Sequence, residues 1–333
     1  MNSRYSRQII LEQIGQEGQT ILLHSRVVVI GCGALGTNIT GNLTRVGIGT
    51  LLIIDRDIVE LNNLQRQILF DEKDIGFPKV IAAFEKLKNI NTEINIEPVL
   101  KDVNNTNIED LIAESDVVVD ATDNFQTRMI INDTCVKKKI PWIYAGVIQT
   151  HGMTMNILPE GPCFQCILPS VPAPGSTPTC ETAGVLNTIV NIIASIESTE
   201  VIKILLKKDI EKKLVFYDVW HHQFERVEVK KNNGCECCVK KNFKFLETEK
   251  REMILELCDN AIQIFPPTET KINLKKIARQ LTKVTHKVSV SDYLLKFQAE
   301  NKDITVFSDG RAIIKGTGDK GVAKSIYTRY LGL

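Results

Sequence analysis

Short runs of apolar, mostly β-branched residues recur through the first half of the chain, separated by stretches with apolar residues at helical spacing. The runs lie at positions 26–30, 51–54, 94–100, 117–119 and 142–144. Runs of this length between turn residues are typical of strands that are buried on both faces. Because strands and helices alternate, the pattern predicts an α/β fold with a doubly wound, mostly parallel, Rossmann-like sheet.

Beyond residue 150 the pattern predicts an antiparallel extension of this sheet. We expect, in order, a strand at 152–158, a mobile Pro/Gly/Ser-rich loop at 169–178, a long helix at 185–207 and paired strands at 214–219 and 224–229. The charged segment 240–253 then predicts a linker between domains.

The linker divides a domain at 1–239 from a small α+β domain at 254–333, whose role the sequence leaves open. In the second domain we expect one strand, a helix at 274–281, two or three strands that include 304–307 and 312–314, and a final helix.

Composition narrows the class of protein. The chain has 333 residues, 43% of them hydrophobic, which is enough for one large core and a small second one. Its 41 basic residues nearly balance 40 acidic ones, so no field of one sign favours nucleic acid. No apolar stretch has the length of a signal peptide or a membrane span. We therefore expect a cytoplasmic protein with neither a nucleic-acid nor a membrane partner.

A glycine-rich turn, GCGALG at 31–36, follows the first predicted strand and opens a predicted helix. In that context Gly31 permits the tight turn, Gly33 lets the backbone approach a phosphate, and Gly36 lets helix and strand pack closely. Asp55 ends the second strand, where a carboxylate commonly accepts hydrogen bonds from a ribose. These features fit a nicotinamide-dependent oxidoreductase as well as an ATP-dependent enzyme.

Polar residues downstream of the turn favour ATP. Asn63, Arg66 and Gln67 lie in NNLQRQ, and Lys79 lies in GFPK at the start of a predicted helix. A dinucleotide site does not need these two cations. Transfer of an adenylyl group to a carboxylate does need them, because charge develops on the α-phosphate and on the departing pyrophosphate.

Asp123 and Asn124, in ATDN, come directly after the predicted strand at 117–119. The carboxyl end of a parallel sheet is where ligands bind, so Asp123 is a candidate ligand for Mg²⁺ between the phosphates. A purely structural interpretation exists for each residue. A lone Arg or Lys is usually a solvated surface residue, and an Asp-Asn pair is usually a helix cap or a turn.

The order of these motifs carries a resemblance to a known family. The motifs RYSRQ at 4–8, GCGALG, Asp55, NLQRQ, GFPK, TDN and paired CxxC cysteines occur in this order. Over about residues 4–238 the chain resembles the ThiF/MoeB/HesA family, the bacterial E1-like relatives of ubiquitin-activating enzymes. The resemblance implies ATP-dependent adenylation of the C-terminal glycine of a ubiquitin-like sulfur carrier, of the ThiS or the MoaD type, for thiamine thiazole or molybdopterin synthesis.

The resemblance also implies roles for individual residues. Asp55 would bind the ribose, Asn63, Arg66 and Lys79 the phosphates, and Asp123 the Mg²⁺ ion. Arg7 would reach the γ-phosphate from a neighbouring subunit, which implies a homodimer. A cysteine desulfurase or a rhodanese is a further expected partner, as the sulfur donor.

Nine cysteines are many for a reducing compartment, and their odd number argues against a disulfide framework. Two CxxC pairs, Cys163 with Cys166 and Cys235 with Cys238, have the spacing at which two thiolates share a tetrahedral ion. Together they predict one zinc site. Because four protein ligands leave no open position, we expect the zinc to be structural.

Cys180 lies in TCETAG, between the predicted mobile loop and the long helix. A helix N-terminus would lower the pKa of its thiol. In some members of the family with this pattern the matching cysteine forms a covalent link to the carrier or to a sulfur donor, which makes Cys180 a candidate nucleophile. A packed or merely exposed thiol is an equal alternative.

Two other classes of protein compete with the adenylating enzyme. A nicotinamide-dependent oxidoreductase would use the same glycine turn without needing Arg66 or Lys79. A non-catalytic partner would keep the fold but lose turnover, and the intact set of Arg7, Arg66, Lys79 and Asp123 speaks against it.

Overall fold

The computed structural model describes residues 3–173, 176, 179–247, 254–257, 260–266 and 271–332. The chain divides into two compact units, Met1–Thr248 and Glu249–Leu333. In the part of the chain that the structure describes, no helix is both long and apolar enough to cross a membrane.

One eight-stranded sheet forms the centre of the first unit, in the order β3-β2-β1-β4-β5-β6-β7-β8. Its strands are β1 (Arg26–Ile30), β2 (Thr50–Asp55), β3 (Asn95–Leu100), β4 (Val117–Asp120), β5 (Trp142–Ile148), β6 (His151–Ile157), β7 (Leu214–Asp218) and β8 (Gln223–Val227). The first five are parallel, and the last three extend the sheet with antiparallel pairs. The predicted doubly wound sheet with an antiparallel extension is confirmed.

Helices cover both faces of this sheet. They are α1 (Ser6–Ile9), α2 (Gly15–His24), α3 (Ala34–Val46), α4 (Lys79–Ile90), α5 (Ile108–Leu111), α6 (Phe125–Lys138), α7 (Phe164–Ile167), α8 (Cys180–Ala183), α9 (Asn187–Leu205) and α10 (Lys244–Glu247). Short 3-10 turns at Ser3–Tyr5, Leu61–Asn63 and Glu72–Asp74 complete the unit.

Strand β1 shows why the apolar runs are continuous. Val28 and Ile30 belong to the apolar core that includes α6, whereas Val27 and Val29 belong to the core that includes α3 and α9. Successive side chains of a strand point to opposite faces, so a strand covered on both faces needs apolar residues at every position. The five residues of β1 therefore separate two helical layers.

Residues 243–247, within the predicted linker, pack against the first unit. Phe243, Phe245 and Leu246 lie against its core, and the backbone N–H of Phe245 donates to Asp133 Oδ2 at 3.0 Å. The short helix α10 contacts α6. Part of the segment expected to connect the domains thus belongs to the first unit.

The second unit is a six-stranded antiparallel sheet in the order β11-β12-β13-β14-β10-β9. Its elements are β9 (Ile254–Leu257), β10 (Ala261–Ile264), α11 (Leu274–Leu281), β11 (His286–Val290), β12 (Leu294–Ala299), β13 (Lys302–Phe307), β14 (Ala312–Lys315) and α12 (Lys320–Leu331). Apolar residues of α11 and α12 share one core with the sheet.

The α+β class of this unit is confirmed, but the expected number of strands was too low. Two strands precede α11 and four follow it. Strand β11 was missed because its sequence, HKVSV, offers only two apolar residues. Cys258 lies outside the described residues.

A glutamate is buried in α9 without a partner. Glu197 has no exposed surface, and neither carboxylate oxygen has a hydrogen-bond partner among the described residues. Burial raises the pKa of Glu197 well above its usual value, and the nearby Asp120 raises it further. The folded protein therefore holds the proton of Glu197 more tightly than the unfolded chain does.

Substitution Glu197→Gln should stabilise the protein at neutral and alkaline pH. Because the folded pKa is raised, the contribution of Glu197 favours folding below its unfolded pKa of about 4.3 and is lost as the pH rises through the folded value. The neutral glutamine avoids this loss, so we expect a gain of about 1–3 kcal/mol at pH 8 and little change at pH 4. Urea unfolding at both pH values measures it. Glu225→Gln, at an exposed position of β8, is the control. A pH-independent difference would contradict the expectation.

Candidate nucleotide-binding and metal sites

The candidate nucleotide site lies at the carboxyl edge of the parallel sheet, where β1 and β4 run side by side and the strand order reverses. Beyond the strands, the N–H of Gly31 donates to the Ile54 carbonyl at 2.7 Å, and the N–H of Ala121 donates to the Ile30 carbonyl at 2.8 Å. A crevice at such a reversal is the usual ligand position in open α/β sheets.

At two positions of the turn only glycine fits, because a Cβ would collide with backbone atoms. Gly31 has a φ of 99°, and a Cβ there would lie 2.4 Å from the carbonyl oxygen of Ala121. A Cβ on Gly36 would lie 2.0 Å from the carbonyl oxygen of Gly31. Gly33 differs, because its nearest neighbour would be the Gln67 amide at 3.8 Å. Space is therefore left beside the turn at the helix N-terminus, where anions bind.

Asp55 closes the turn from the side of β2. Its Oδ2 accepts the backbone N–H of Cys32 at 2.6 Å, and its Oδ1 accepts that of Asp57 at 2.7 Å. Burial raises the pKa of the Asp55 carboxyl, whereas Lys79 and the two backbone donors act in the opposite direction. The carboxylate is thus fixed beside the glycine turn, where a ribose ligand is expected.

Lys79 is a buried cation at this edge. Its side chain is 9% exposed, and its Nζ lies 3.2 Å from Asp57 Oδ2. Burial acts to lower the pKa of Lys79, but the carboxylates of Asp57, Asp55 and Asp123 outweigh it and the pKa is raised. Lys79 therefore carries its charge at every physiological pH.

The sequence analysis did not predict a role for Asp57 or for Arg56, the cation beside it. Arg56 Nη1 donates to Asp102 Oδ1 at 2.7 Å, and its Nε lies 3.8 Å from Asp57 Oδ1. Asp57 also accepts the backbone N–H of Lys79 at 2.9 Å through its carbonyl, so it joins the two loops that carry Asp55 and Lys79. The signal for Asp57 in the sequence was its position two residues after Asp55, which ends β2.

Asp123 is exposed at the same edge. Its charge raises the pKa of both Lys79 and Arg56, which places the carboxylate within electrostatic reach of these cations. The side chain of the next residue, Asn124, accepts the N–H of Thr127 at 2.8 Å and caps α6. Asn124 thus serves as a helix cap, the structural alternative considered for it.

The NNLQRQ segment contributes one residue that faces the turn. Gln67 is 3% exposed, its amide lies beside Gly33, and its Oε1 has no partner among the described residues. Asn63 accepts the N–H of Glu60 at 3.2 Å and stabilises a 3-10 turn. Arg66 Nη1 donates to the carbonyl of its own turn, at Asn62, at 2.7 Å.

The structure therefore assembles most of the predicted nucleotide residues around the turn. Those with direct contacts or electrostatic links to one another are Gly31, Gly33, Gly36, Asp55, Gln67, Lys79 and Asp123. Arg7 is exposed on α1, and no contact within the chain links it to this edge among the described residues. Cys180 begins α8, and its side chain lies outside the described part.

Four cysteines form a second candidate site on the α6 side of the sheet. The sulfur atoms of Cys163, Cys166, Cys235 and Cys238 all lie within 4.8 Å of one another. The Cys163–Cys235 and Cys166–Cys238 distances are 3.6 and 3.5 Å. Zinc–sulfur bonds of about 2.3 Å in a tetrahedron put sulfur atoms about 3.8 Å apart. This set of donors therefore fits a zinc ion.

Two buried side chains of helix α6 form hydrogen bonds with the segment that carries Cys163 and Cys166. Asn132 accepts the N–H of Phe164 at 2.8 Å and donates to the sulfur of Cys237 at 3.2 Å. Asp133 accepts the side-chain N–H of Gln165 at 2.8 Å. Both side chains have no exposed surface. These bonds hold the segment between Cys163 and Cys166, and so they fix two of the candidate ligands indirectly. Cys237 is thus a buried thiol packed beside the cluster.

Solved structures share the fold of the first unit, and one of them contains ATP. The Escherichia coli protein MccB, solved with ATP, is similar to 71% of this chain, with a TM-score of 0.62 and 24% identity over 75% of MccB. The protein PaaA is similar to 69% of this chain, with a TM-score of 0.58 and 25% identity over 73% of PaaA. Fold and crevice define the class as a doubly wound α/β protein with an antiparallel extension of its sheet.

Residues 5–237 match the model of the ThiF family, and the chain belongs to this family. The sulfur carrier protein ThiS adenylyltransferase of Bacillus subtilis is 38% identical over 340 aligned positions, which cover all of both chains. The SAMP-activating enzyme E1 of Haloferax volcanii is 40% identical over 71% of this chain and 88% of its own. The ThiS adenylyltransferase of Escherichia coli is 36% identical over 71% of this chain and 94% of its own. The resemblance drawn from the motifs is confirmed.

Removal of one ligand should empty the cysteine site. We expect Cys166→Ala to lose the bound zinc and more than about 4 kcal/mol of stability, because metal binding contributes directly to folding. Metal content by plasma mass spectrometry and urea unfolding measure both quantities. Cys135→Ala, at a buried cysteine of α6 outside the cluster, is the matched control and should retain the metal. One zinc per chain in both variants would contradict the site.

Proposed function

We propose that the protein uses ATP to adenylate the C-terminal glycine carboxylate of a ubiquitin-like sulfur carrier protein. One observation carries the proposal. In a ThiF-family chain, the buried cation Lys79 and the exposed carboxylate Asp123 lie at the same crevice as the glycine turn. A nicotinamide site has no use for that combination, so the oxidoreductase alternative is the weaker one.

In the proposed reaction a carboxylate oxygen of the carrier attacks the α-phosphorus of ATP. The new oxygen–phosphorus bond forms as the bond between the α-phosphorus and the bridging oxygen breaks, and pyrophosphate leaves with that electron pair. The carboxylate is already ionised at neutral pH, so the step needs no general base. Catalysis then depends on positioning and on neutralising negative charge.

The residues at the carboxyl edge of the parallel sheet have separate roles in this proposed step. The turn from Gly31 to Gly36 and the start of α3 receive the phosphates, and Asp55 receives the ribose. Lys79 stabilises charge that develops on the phosphates and exchanges its contact with Asp57 for them. Arg66 turns from the Asn62 carbonyl toward the phosphates, where two of its guanidinium donors fit phosphate oxygens.

Mg²⁺ fits the proposal through Asp123. Protein sites for this ion usually supply one or two carboxylates and leave the remaining positions to phosphate oxygens and water. An exposed carboxylate without a hydrogen bond in the described structure, close to two cations, suits that role. When bound with ATP, the ion supplies positive charge to the phosphate oxygens.

We propose a ThiS-type carrier, and hence the thiamine thiazole pathway. The relative from Bacillus subtilis covers both units of the chain, whereas the relatives from Haloferax volcanii and Escherichia coli align with 71% of it. The division into an adenylation domain and a C-terminal domain remains part of this proposal. So do the homodimer with Arg7 at the neighbouring site, the nucleophilic role of Cys180, and a desulfurase or rhodanese as sulfur donor.

Loss of Arg66 or of Asp123 should strongly reduce the rate of the proposed reaction. We expect Arg66→Ala and Asp123→Ala to reduce carrier-dependent exchange of pyrophosphate into ATP by at least about 100-fold, because each removes charge stabilisation at the phosphates. Circular dichroism should show an unchanged fold. Arg226→Ala, at an exposed arginine of β8 that pairs with Glu211, serves as the control and should retain full exchange. Wild-type exchange in both site variants would overturn the assignment.

The choice of carrier can be measured directly. Incubated with ATP and purified carriers of the ThiS and MoaD types, the protein should add an adenylate to the ThiS-type carrier at a rate at least about tenfold higher, because surface complementarity sets partner choice. Mass spectrometry of the intact carriers reads the product. Preferential modification of the MoaD-type carrier would reassign the pathway but keep the reaction.

A further inference from the structure

A buried ion pair holds the turn that carries Asp123. Asp120 ends β4 without exposed surface, and Arg128, in α6, is 7% exposed. The Nε of Arg128 donates to Asp120 Oδ2 at 3.0 Å. The other oxygen of Asp120 accepts the backbone N–H and the hydroxyl of Thr122 at 2.9 and 2.6 Å.

Arg128 holds the opposite side of the same threonine. Its Nη2 donates to the carbonyl oxygens of Thr122 and Ala145 at 2.7 and 2.9 Å. The N–H, hydroxyl and carbonyl of Thr122 are therefore all bound by one ion pair. On the other side of Asp123, the side chain of Asn124 caps α6. Fixed residues thus flank Asp123 on both sides.

Stability alone is a poor reason for such a pair. Removing two charges from water is costly, and apolar residues of similar volume commonly replace a buried pair without loss of stability. The guanidinium of Arg128 also lies over the rings of Tyr144 and Phe125, with its carbon 5.2 and 5.6 Å from their centroids. Packing and hydrogen bonds together allow Arg128 one orientation, which is what a supporting residue of a binding site requires.

We propose that Asp120 and Arg128 are positioning residues, which fix the turn at 121–124 so that Asp123 keeps its place at the nucleotide edge. The inference rests on the proposed role of Asp123 as the Mg²⁺ ligand. Asp123 is exposed, and no hydrogen bond to its side chain occurs in the described structure. Its position is therefore set by the backbone on either side, and the ion pair acts through that backbone.

Arg128→Lys tests the inference. Lysine keeps the charge, but its single nitrogen cannot bond to Asp120, Thr122 and Ala145 in the fork geometry of a guanidinium. We expect the Mg²⁺ concentration for half-maximal pyrophosphate exchange to rise about 10- to 100-fold. The Kd for ATP measured without Mg²⁺ should stay at the wild-type value.

Arg26→Lys is the matched control. Arg26 forms a two-bond pair with Glu97, at 3.1 and 2.8 Å, at the amino end of the same sheet. This variant also replaces an arginine that is paired with a carboxylate, but far along β1 from the nucleotide edge. Its Mg²⁺ requirement should equal that of the wild type, and a rise equal to that of Arg128→Lys would overturn the inference.

Two further variants keep the test decisive. Thr122→Val removes only the hydroxyl bond to Asp120. It should raise the Mg²⁺ requirement by a smaller factor than Arg128→Lys does. If Arg128→Lys does not fold, Thr122→Val tests the positioning role in its place. Asp123→Asn separates the two hypotheses. An unchanged requirement in Asp123→Asn would end the proposed role of Asp123 and the inference with it. A raised requirement in Asp123→Asn, with wild-type values in folded Thr122→Val and Arg128→Lys, would overturn the positioning role alone.

Discussion

The close approach of two backbones where β1 and β4 end is the constraint on which the rest of the molecule depends. Gly31 and the carbonyl of Ala121 lie so near one another that no side chain fits between them. This contact lets the chain turn from β1 into α3 while β4 turns away toward α6. The crevice between those two departures has backbone N–H groups on one wall and the turn of Asp123 on the other.

Both cations at this crevice have a carboxylate partner before any nucleotide binds. The cation of Lys79 faces Asp57, and that of Arg56 faces Asp102. A buried cation without a counterion would be costly, so the acids are needed for the protein to fold with its cations in place. In the proposed reaction, phosphate oxygens substitute for a carboxylate that is already there. The energetic change at Lys79 is then an exchange of one anion for another.

The sequence was sufficient to predict the fold of the first unit and the edge where the site lies. Continuous apolar runs such as that of β1 signal burial on both faces, and the glycine turn follows the first of them. The four-cysteine cluster was equally visible, because metal geometry restricts spacing along the chain. In the second unit, strands with alternating polar residues gave too weak a pattern to be counted correctly.

Local sequence patterns could not predict the ion pairs of the site. Asp57 meets Lys79 across 22 positions, and Arg56 meets Asp102 across 46. Even the pair of Asp120 and Arg128, only 8 positions apart, joins a strand end to a helix in a way that spacing alone does not signal.

Helix α6 connects features that would otherwise be independent. Its first residues follow Asp123, and its middle residues, Asn132 and Asp133, bond to the segment that holds the cysteine cluster. At 1.5 Å per residue, Phe125 and Asp133 lie about 12 Å apart along the helix axis. Because the helix is held at both points, we expect a displacement of the cysteine cluster to shift the start of α6, next to Asp123, as well. One helix therefore joins the candidate metal site to the candidate nucleotide edge.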